Sequence, residues 1–236
     1  MDALVEHESA KAARILAVAR DLVLKRGVKG VAIAEIAEKA HVGKGTLYLY
    51  WPTKEDLLLG LFARDFLAAV DEFSTAFTEN PDLVHPEHLC PMLVRSALRR
   101  PFVHAIMTGN ADLLGVLAED PRTKELLDHL SPGTLMLKVL PVWRGHRMAR
   151  TDWPIEAQAY ALRALQIGFV ELETQPRFPA DASVESPDEV LAATVTALLG
   201  PSTAGKAEVA AVTAEAARIL HEARTAVLAS ITTTKG

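Results

Sequence analysis

The sequence predicts an all-α protein: an N-terminal three-helix domain holding a helix-turn-helix, then a larger C-terminal helical domain. Three observations carry this. Apolar residues recur at spacings of three and four along most of the chain, and almost no segment alternates with a period of two. Half of the 236 residues are hydrophobic, enough for one small and one larger core. Between Val31 and Leu58 two short helices are joined by a tight turn, and the second is too small to be a core element alone. A protein that sets a helix into the major groove of DNA needs that arrangement.

The first helix runs from about Ser9 to Arg26, with Ile15, Leu16, Ala19, Leu22 and Val23 on its apolar face. Ile33, Ile36, Ala37 and Ala40 then mark one face of a helix of about two turns. Val42 is the apolar plug of the turn, and Gly43 stands at the N-cap of the next helix, where glycine is acceptable. In that helix Leu47 and Trp51 face inward, which leaves Lys44, Thr46, Tyr48 and Tyr50 on other faces. Gly45 lets the backbone come close to a sugar-phosphate strand. Thr53 caps the following helix, with Glu55 and Asp56 in its first turn, where negative charge suits the helix dipole. Lys54 at the same end is poorly explained by the dipole and well explained by a bound phosphate.

Residues 11 to 60 resemble the DNA-binding domain of the TetR (tetracycline-repressor) family. The resemblance rests on Gly27, Ile36 and Ala37, Ala40 and Val42, the run Lys44 to Tyr48, Tyr50 and Trp51, and Lys54, Glu55 and Leu57. It covers about the first fifth of the chain. It implies a helical homodimer that binds a double-stranded, palindromic operator and is released by a small-molecule effector held in the C-terminal domain. By the same resemblance Leu49 and Tyr50 face the groove, Leu49 against a thymine methyl, and Tyr48 and Lys54 bind phosphate; Lys44 can reach a guanine edge or a phosphate. The DNA-binding set is therefore Lys44, Gly45, Thr46, Tyr48, Leu49, Tyr50 and Lys54. Three positions depart from the family pattern. Ala32 stands where Ser or Thr caps the second helix, leaving Glu35 as half a capping box. His41 replaces the glycine of the turn and must adopt an unusual backbone angle or reshape it. Gly43 replaces a serine.

The domain division read from this is 9–55 for DNA binding and 56–236 for ligand binding and dimerisation. A long helix from Thr53 to Thr78, apolar from Leu57 to Phe77, belongs to both parts. Asn80 to Pro86 reads as a loop. Pro86, Pro101 and Pro121 suit first-turn positions, whereas Pro91 and Pro141 fall inside apolar patterns and predict kinks. A helix runs from Pro154 to about Thr174, and Gln175 to Pro187 is loop-like. Ser186 and Glu189 form a capping box for a helix that stops at Gly200 and Pro201. A last helix spans 202–231, with Val209, Val212, Ala216, Ile219, Ala223 and Val227 in near-heptad order, and Thr232 to Gly236 is a frayed tail.

The helices within 154–200 are expected to make the dimer. The first carries Ala157, Ala161, Ala164, Leu165, Gly168 and Leu172, small enough for close packing, and the helix after 201 is expected to wrap the pair. A medium-sized apolar or aromatic effector suits the mix of Phe102, His104, Met107, Met136, Trp143, Tyr160, Gln166 and Phe169, with His146 and Trp153 nearby. His104 and Gln166 stand among apolar neighbours, where an unpaired polar group is costly, so a ligand or buried partner is expected there. His85, His88 and Cys90 match no strong zinc pattern, and neither metal nor cofactor is expected.

A net charge of −5 excludes coating of DNA through bulk positive charge. The charge is uneven: residues 1–66 hold ten Lys or Arg against nine Asp or Glu, and the rest fifteen against twenty-one. A near-neutral DNA-binding part on an acidic body suits site-specific binding and limits salt-dependent non-specific binding. The single cysteine excludes an internal disulfide, and the polar start and lack of a long apolar run predict a cytoplasmic protein without a membrane span. The competing reading is an all-helical enzyme, or a helical adaptor, that kept the helix-turn-helix as scaffold. No G-x-S-x-G, H-E-x-x-H or glycine-rich phosphate loop supports the enzyme.

Overall fold

The computed structural model describes residues 4–114, 121, 122, 124, 132–175 and 184–232, and no strand occurs among them. The helices are α1 (Val5–Glu8), α2 (Ala10–Arg26), α3 (Ile33–Lys39), α4 (Lys44–Tyr50), α5 (Lys54–Glu79), α6 (Pro86–Arg99), α7 (Pro101–Thr108), α8 (Ala111–Leu114), α9 (Pro132–Gly145), α10 (Ile155–Thr174), α11 (Pro187–Leu199) and α12 (Lys206–Thr232).

Two hydrophobic clusters organise these helices. The first is built on Ile15, Ile36, Leu47, Leu57 and Leu58, all fully buried, from α2 to the first half of α5. Phe102 and Ala105 of α7 and Ala223 and Val227 of α12 insert into it from farther along the chain. The second cluster takes the other half of α5 through Phe73 and Phe77, together with α6, α9, α10, α11 and the first half of α12. The 26-residue α5 is thus shared, as its unbroken apolar stripe predicts. It is held at its start by a complete capping box in which the Thr53 hydroxyl accepts from the Asp56 amide and the Asp56 carboxylate accepts from the Thr53 amide.

Several local expectations are corrected. A 3-10 turn, Pro81–Val84, fills most of the expected loop between Asn80 and Pro86; the Asn80 side chain caps it. Pro91 and Pro141 do lie inside helices, α6 and α9, as their apolar patterns place them, and each ring removes one helix donor. Pro86 and Pro101 do open helices, but the residues before Pro121 lie outside the described ones. So do most of the expected 175–187 loop and the tail after 232. Ser186 precedes α11 but its hydroxyl makes no cap hydrogen bond. The last helix begins four residues later than expected, at Lys206, because Ser202 and Glu208 turn back on the backbone amides of Ala204 and Gly205. Its heptad-like stripe is covered by the same chain: α12 lies along α5, where Arg224 reaches Asp71, and beside the 3-10 turn. The expectation that this helix wraps a partner fails for that stripe, since Val212, Ile219, Ala223 and Val227 are already buried.

Candidate nucleic-acid interface and ligand cavity

The turn between α3 and α4 is closed by a backbone device. The Val42 amide donates to the Ala37 carbonyl at 2.9 Å and the His41 amide to the Glu38 carbonyl at 3.0 Å, the two bonds of a Schellman motif. That motif needs a left-handed residue between helix and exit, and His41 supplies it with φ 53°. Of the two outcomes open to a histidine at this position, the chain takes the unusual backbone angle. Arg14 of α2 donates to the Ala40 carbonyl at 3.2 Å and secures the same helix end. Ala32 provides no side-chain cap for α3, as expected. Glu35 is turned instead to Arg26, whose guanidinium holds the Glu35 carboxyl below the usual carboxylate range.

Helix α4 starts at Gly43, which has extended backbone and no side-chain cap, and is fixed from within by Leu47 and Trp51, both buried. Its opposite side is open. Lys44 and Gly45 are exposed, Tyr48 is 47 % exposed and Leu49 is 83 % exposed, the largest exposure among the big apolar residues described. A Cβ added at Gly45 would meet nothing within 4 Å, so nothing described in the free chain requires glycine there. Thr46 is half-buried.

Two of the expected DNA-binding residues are already engaged within the protein. The Tyr50 hydroxyl lies 2.6 Å from the Ser9 hydroxyl, and its ring packs on the first core with Trp51 at 5.7 Å. The Lys54 ammonium donates to the Val28 carbonyl at 2.9 Å, tying the loop after α2 to the start of α5. Pairing across 41 and 26 residues is invisible to helical periodicity, which is why both positions read as free surface. The open face consists of Lys44, Gly45, Tyr48 and Leu49.

Inside the second cluster α5, α6, α7, α9, α10 and α12 enclose a cavity of about 140 Å³. Of the eight residues expected to line a pocket, Met107, Met136, Trp143 and Gln166 do so. The other four do not. Phe102 packs on Phe62, ring centroids 4.5 Å apart, in the first cluster. Tyr160 is 77 % exposed, because two residues from the buried Leu162 turn a helical side chain about 200° away. His104 and Phe169 are half-buried outside the lining, although the His104 Nε2 is buried without a hydrogen-bond partner. The lining residues missed from sequence include Phe73 and Phe77 of α5 and Val212 and Ile219 of α12. Their signal was present as apolar stripes, but a stripe does not reveal that it borders empty space.

The polar atoms of the wall are nearly all accounted for. The Trp143 indole donates to the Val84 carbonyl at 2.9 Å, and the Ser96 hydroxyl accepts from Arg100 at 2.9 Å. Gln166 is 1 % exposed and neither amide atom finds a partner. Cys90 lies beside it; burial pushes this thiol up to about 12, with the Gln166 amide offsetting part of the rise. A thiol is too weak a hydrogen-bonding group to complete either amide bond with proper geometry. Among the described residues no group of three His, Cys, Asp or Glu converges as a metal site, and no helix is long and apolar enough to cross a membrane.

Comparison with known proteins agrees with this geometry. Residues 15–61 match the model of the bacterial regulatory proteins of the tetR family. The chain is 23 % identical over 180 residues to the fatty acid metabolism regulator protein of Bacillus subtilis (strain 168), covering 67 % of this chain and 91 % of the relative. It is 33 % identical over 95 residues to the HTH-type transcriptional repressor KstR of Rhodococcus jostii (strain RHA1), 40 % of this chain and 44 % of that one. Among solved structures, a tetR family transcription regulator from Shewanella sp. PV-4 superposes with a TM-score of 0.57 at 19 % identity, over 81 % of this chain and 98 % of the other.

Proposed function

We propose, from the match of residues 15–61 to the bacterial regulatory proteins of the tetR family, that this chain is a DNA-binding transcriptional regulator of that family: a dimeric, ligand-responsive repressor, acting without catalysis in the cytoplasm where its DNA is. The observation that carries the DNA-binding side is α4, anchored by buried Leu47 and Trp51 and open at Lys44, Gly45, Tyr48 and Leu49. Residues 9–55 bind the operator, with Thr46 and Lys54 at the edge of the contact, and 56–236 bind ligand and partner. Two copies set their α4 helices in successive major grooves of a palindromic site, with half-sites about one helical turn apart or somewhat more.

The dimer is assigned to α10 and α11. Ala157, Ala164, Gly168 and Leu172 of α10 are exposed along one face, joined there by Tyr160, and α11 leaves Val190 and Ala193 exposed. Small residues permit close helix approach, and an exposed tyrosine among them is a suitable interface anchor. The 140 Å³ cavity is the effector site. A ligand that prefers a conformation with wrongly spaced α4 helices releases the DNA, and operator weakens ligand binding by the same factor, a coupling on the order of 1–3 kcal/mol. The test is a gel-shift titration at fixed salt. Tyr48→Ala should weaken DNA binding while sedimentation still reports a dimer; unchanged affinity would remove α4 from the contact.

A further inference from the structure

Resting on the reading of the cavity as the effector site, we propose that its ligand is a neutral molecule of single-ring size bearing one group that both donates and accepts a hydrogen bond, read by the side chain of Gln166. A hydroxyl or an amide meets that description; a carboxylate or a phosphate does not.

Gln166 supplies the first argument. Its amide borders the cavity, is 1 % exposed, and leaves both Oε1 and Nε2 without partners. A buried amide in that state is costly unless something pairs with it. Water is a weaker answer: it would find only the two atoms of this amide, fewer than the roughly three partners typical of an ordered buried water, and the rest of the wall would leave its remaining bonding capacity unused. The other polar side chains of the wall, Ser96 and Trp143, are committed to Arg100 and to the Val84 carbonyl. A ligand hydroxyl satisfies both halves of the amide at once, donating to Oε1 and accepting from Nε2.

Charge supplies the second. Among the described residues, none that lines the cavity is charged. Arg122 is turned to Asp56 at 2.6 Å, and Arg100 to Glu72 and Ser96. An anion entering this wall would therefore be desolvated without a counter-charge. Size supplies the third: about 140 Å³ matches cavities that hold a benzene ring, about 150 Å³.

The experiment is titration calorimetry on the full chain with matched probes: benzyl alcohol and toluene, which differ by the hydroxyl, and benzoate and octanoyl-CoA for the anionic class. Ala216→Phe, which fills the cavity from α12, reports whether a probe binds there. The ligand class stands if benzyl alcohol binds about tenfold or more tightly than toluene, if Gln166→Leu reverses that order, and if Ala216→Phe removes both. Gln166→Leu removes an unpaired polar group, so the variant remains folded for the measurement. Toluene equal to or tighter than benzyl alcohol, or tighter binding of benzoate or octanoyl-CoA abolished by Ala216→Phe, overturns the ligand class and leaves the cavity as effector site. No binding by any of the four, or binding that Ala216→Phe leaves unchanged, overturns both.

Discussion

Arg20 of α2 sets its guanidinium on the carboxylate of Asp65 in α5, with nitrogen–oxygen distances of 2.5 and 3.3 Å. The same carboxylate accepts from the backbone amide of Phe102 at 3.3 Å, and Arg20 lies over the Phe102 ring at 5.2 Å from its centroid. Helix α7 has no side-chain cap of its own, so Asp65 serves as one. Three elements meet at this buried group: a helix supporting the DNA-binding unit, the shared α5, and the start of the helix that lines the cavity through Val103, Ile106 and Met107.

Removing Asp65 should therefore cost more than a surface ion pair. Asp65→Ala leaves Arg20 and the Phe102 amide without their acceptor and is expected to destabilise the fold by about 2–3 kcal/mol in urea titration. Asp65→Asn, which can still accept from the amide, should cost about half as much. Equal losses would mean that the whole contribution lies in the charge and none in the neutral acceptor.

Gly45 separates folding from binding. Its added Cβ meets no protein atom and glycine is a poor helix former, so Gly45→Ala should raise stability by about 0.5–1 kcal/mol. The methyl group would stand between α4 and the sugar-phosphate strand, so DNA affinity should fall in the same protein. Fluorescence anisotropy and thermal melts together check this; a variant that is stabler and binds DNA as well as the parent would take Gly45 out of the interface.

His41 holds a left-handed conformation that costs a non-glycine residue about 1–2 kcal/mol, and glycine recovers this less its own greater chain entropy of about 0.5–1 kcal/mol. His41→Gly should thus stabilise the free protein by up to about 1.5 kcal/mol in urea titration. Destabilisation would mean that the imidazole makes contacts that outweigh the backbone strain.

Cys90 should be chemically silent in the folded state. Its thiol keeps its proton to about 12, against 9.0 for an unperturbed cysteine, because burial penalises the thiolate. At pH 8 a disulfide reagent should label it only as fast as the protein opens, and rapidly in denaturant. The linkage has a definite sign. Between pH 9 and 12 the unfolded chain releases this proton and the folded chain retains it, so this group's share of stability is lost as pH rises through that window. Cys90→Val should lose less stability than the parent over the same range.

The interior of the DNA-binding unit was legible in the sequence because it is local. Leu47 and Trp51 lie one turn apart on one helix, and the special role of position 41 follows from the residues on either side of it. Residues joined across the chain were not legible. Tyr50 with Ser9, Lys54 with Val28, Asp56 with Arg122 and Asp65 with Phe102 are separated by 26 to 66 positions, and periodicity carries no information at that range. The cavity was half legible. Gln166 stood out as a polar residue on an apolar face, but Tyr160 and Phe102 could be placed only by knowing which neighbour each helix meets. Likewise α12 announced an apolar stripe without announcing that α5 would cover it.

The open side of α4 as the reader of DNA sequence is tested most directly by selection from a pool of random duplexes. The wild-type chain should enrich one two-fold symmetric sequence with half-site centres about one helical turn apart or somewhat more, and Leu49→Ala should lose preference at a defined base pair within each half-site. Enrichment of no sequence by the wild type, or recovery of the same sequence with the same affinity by both Leu49→Ala and Tyr48→Ala, would contradict it.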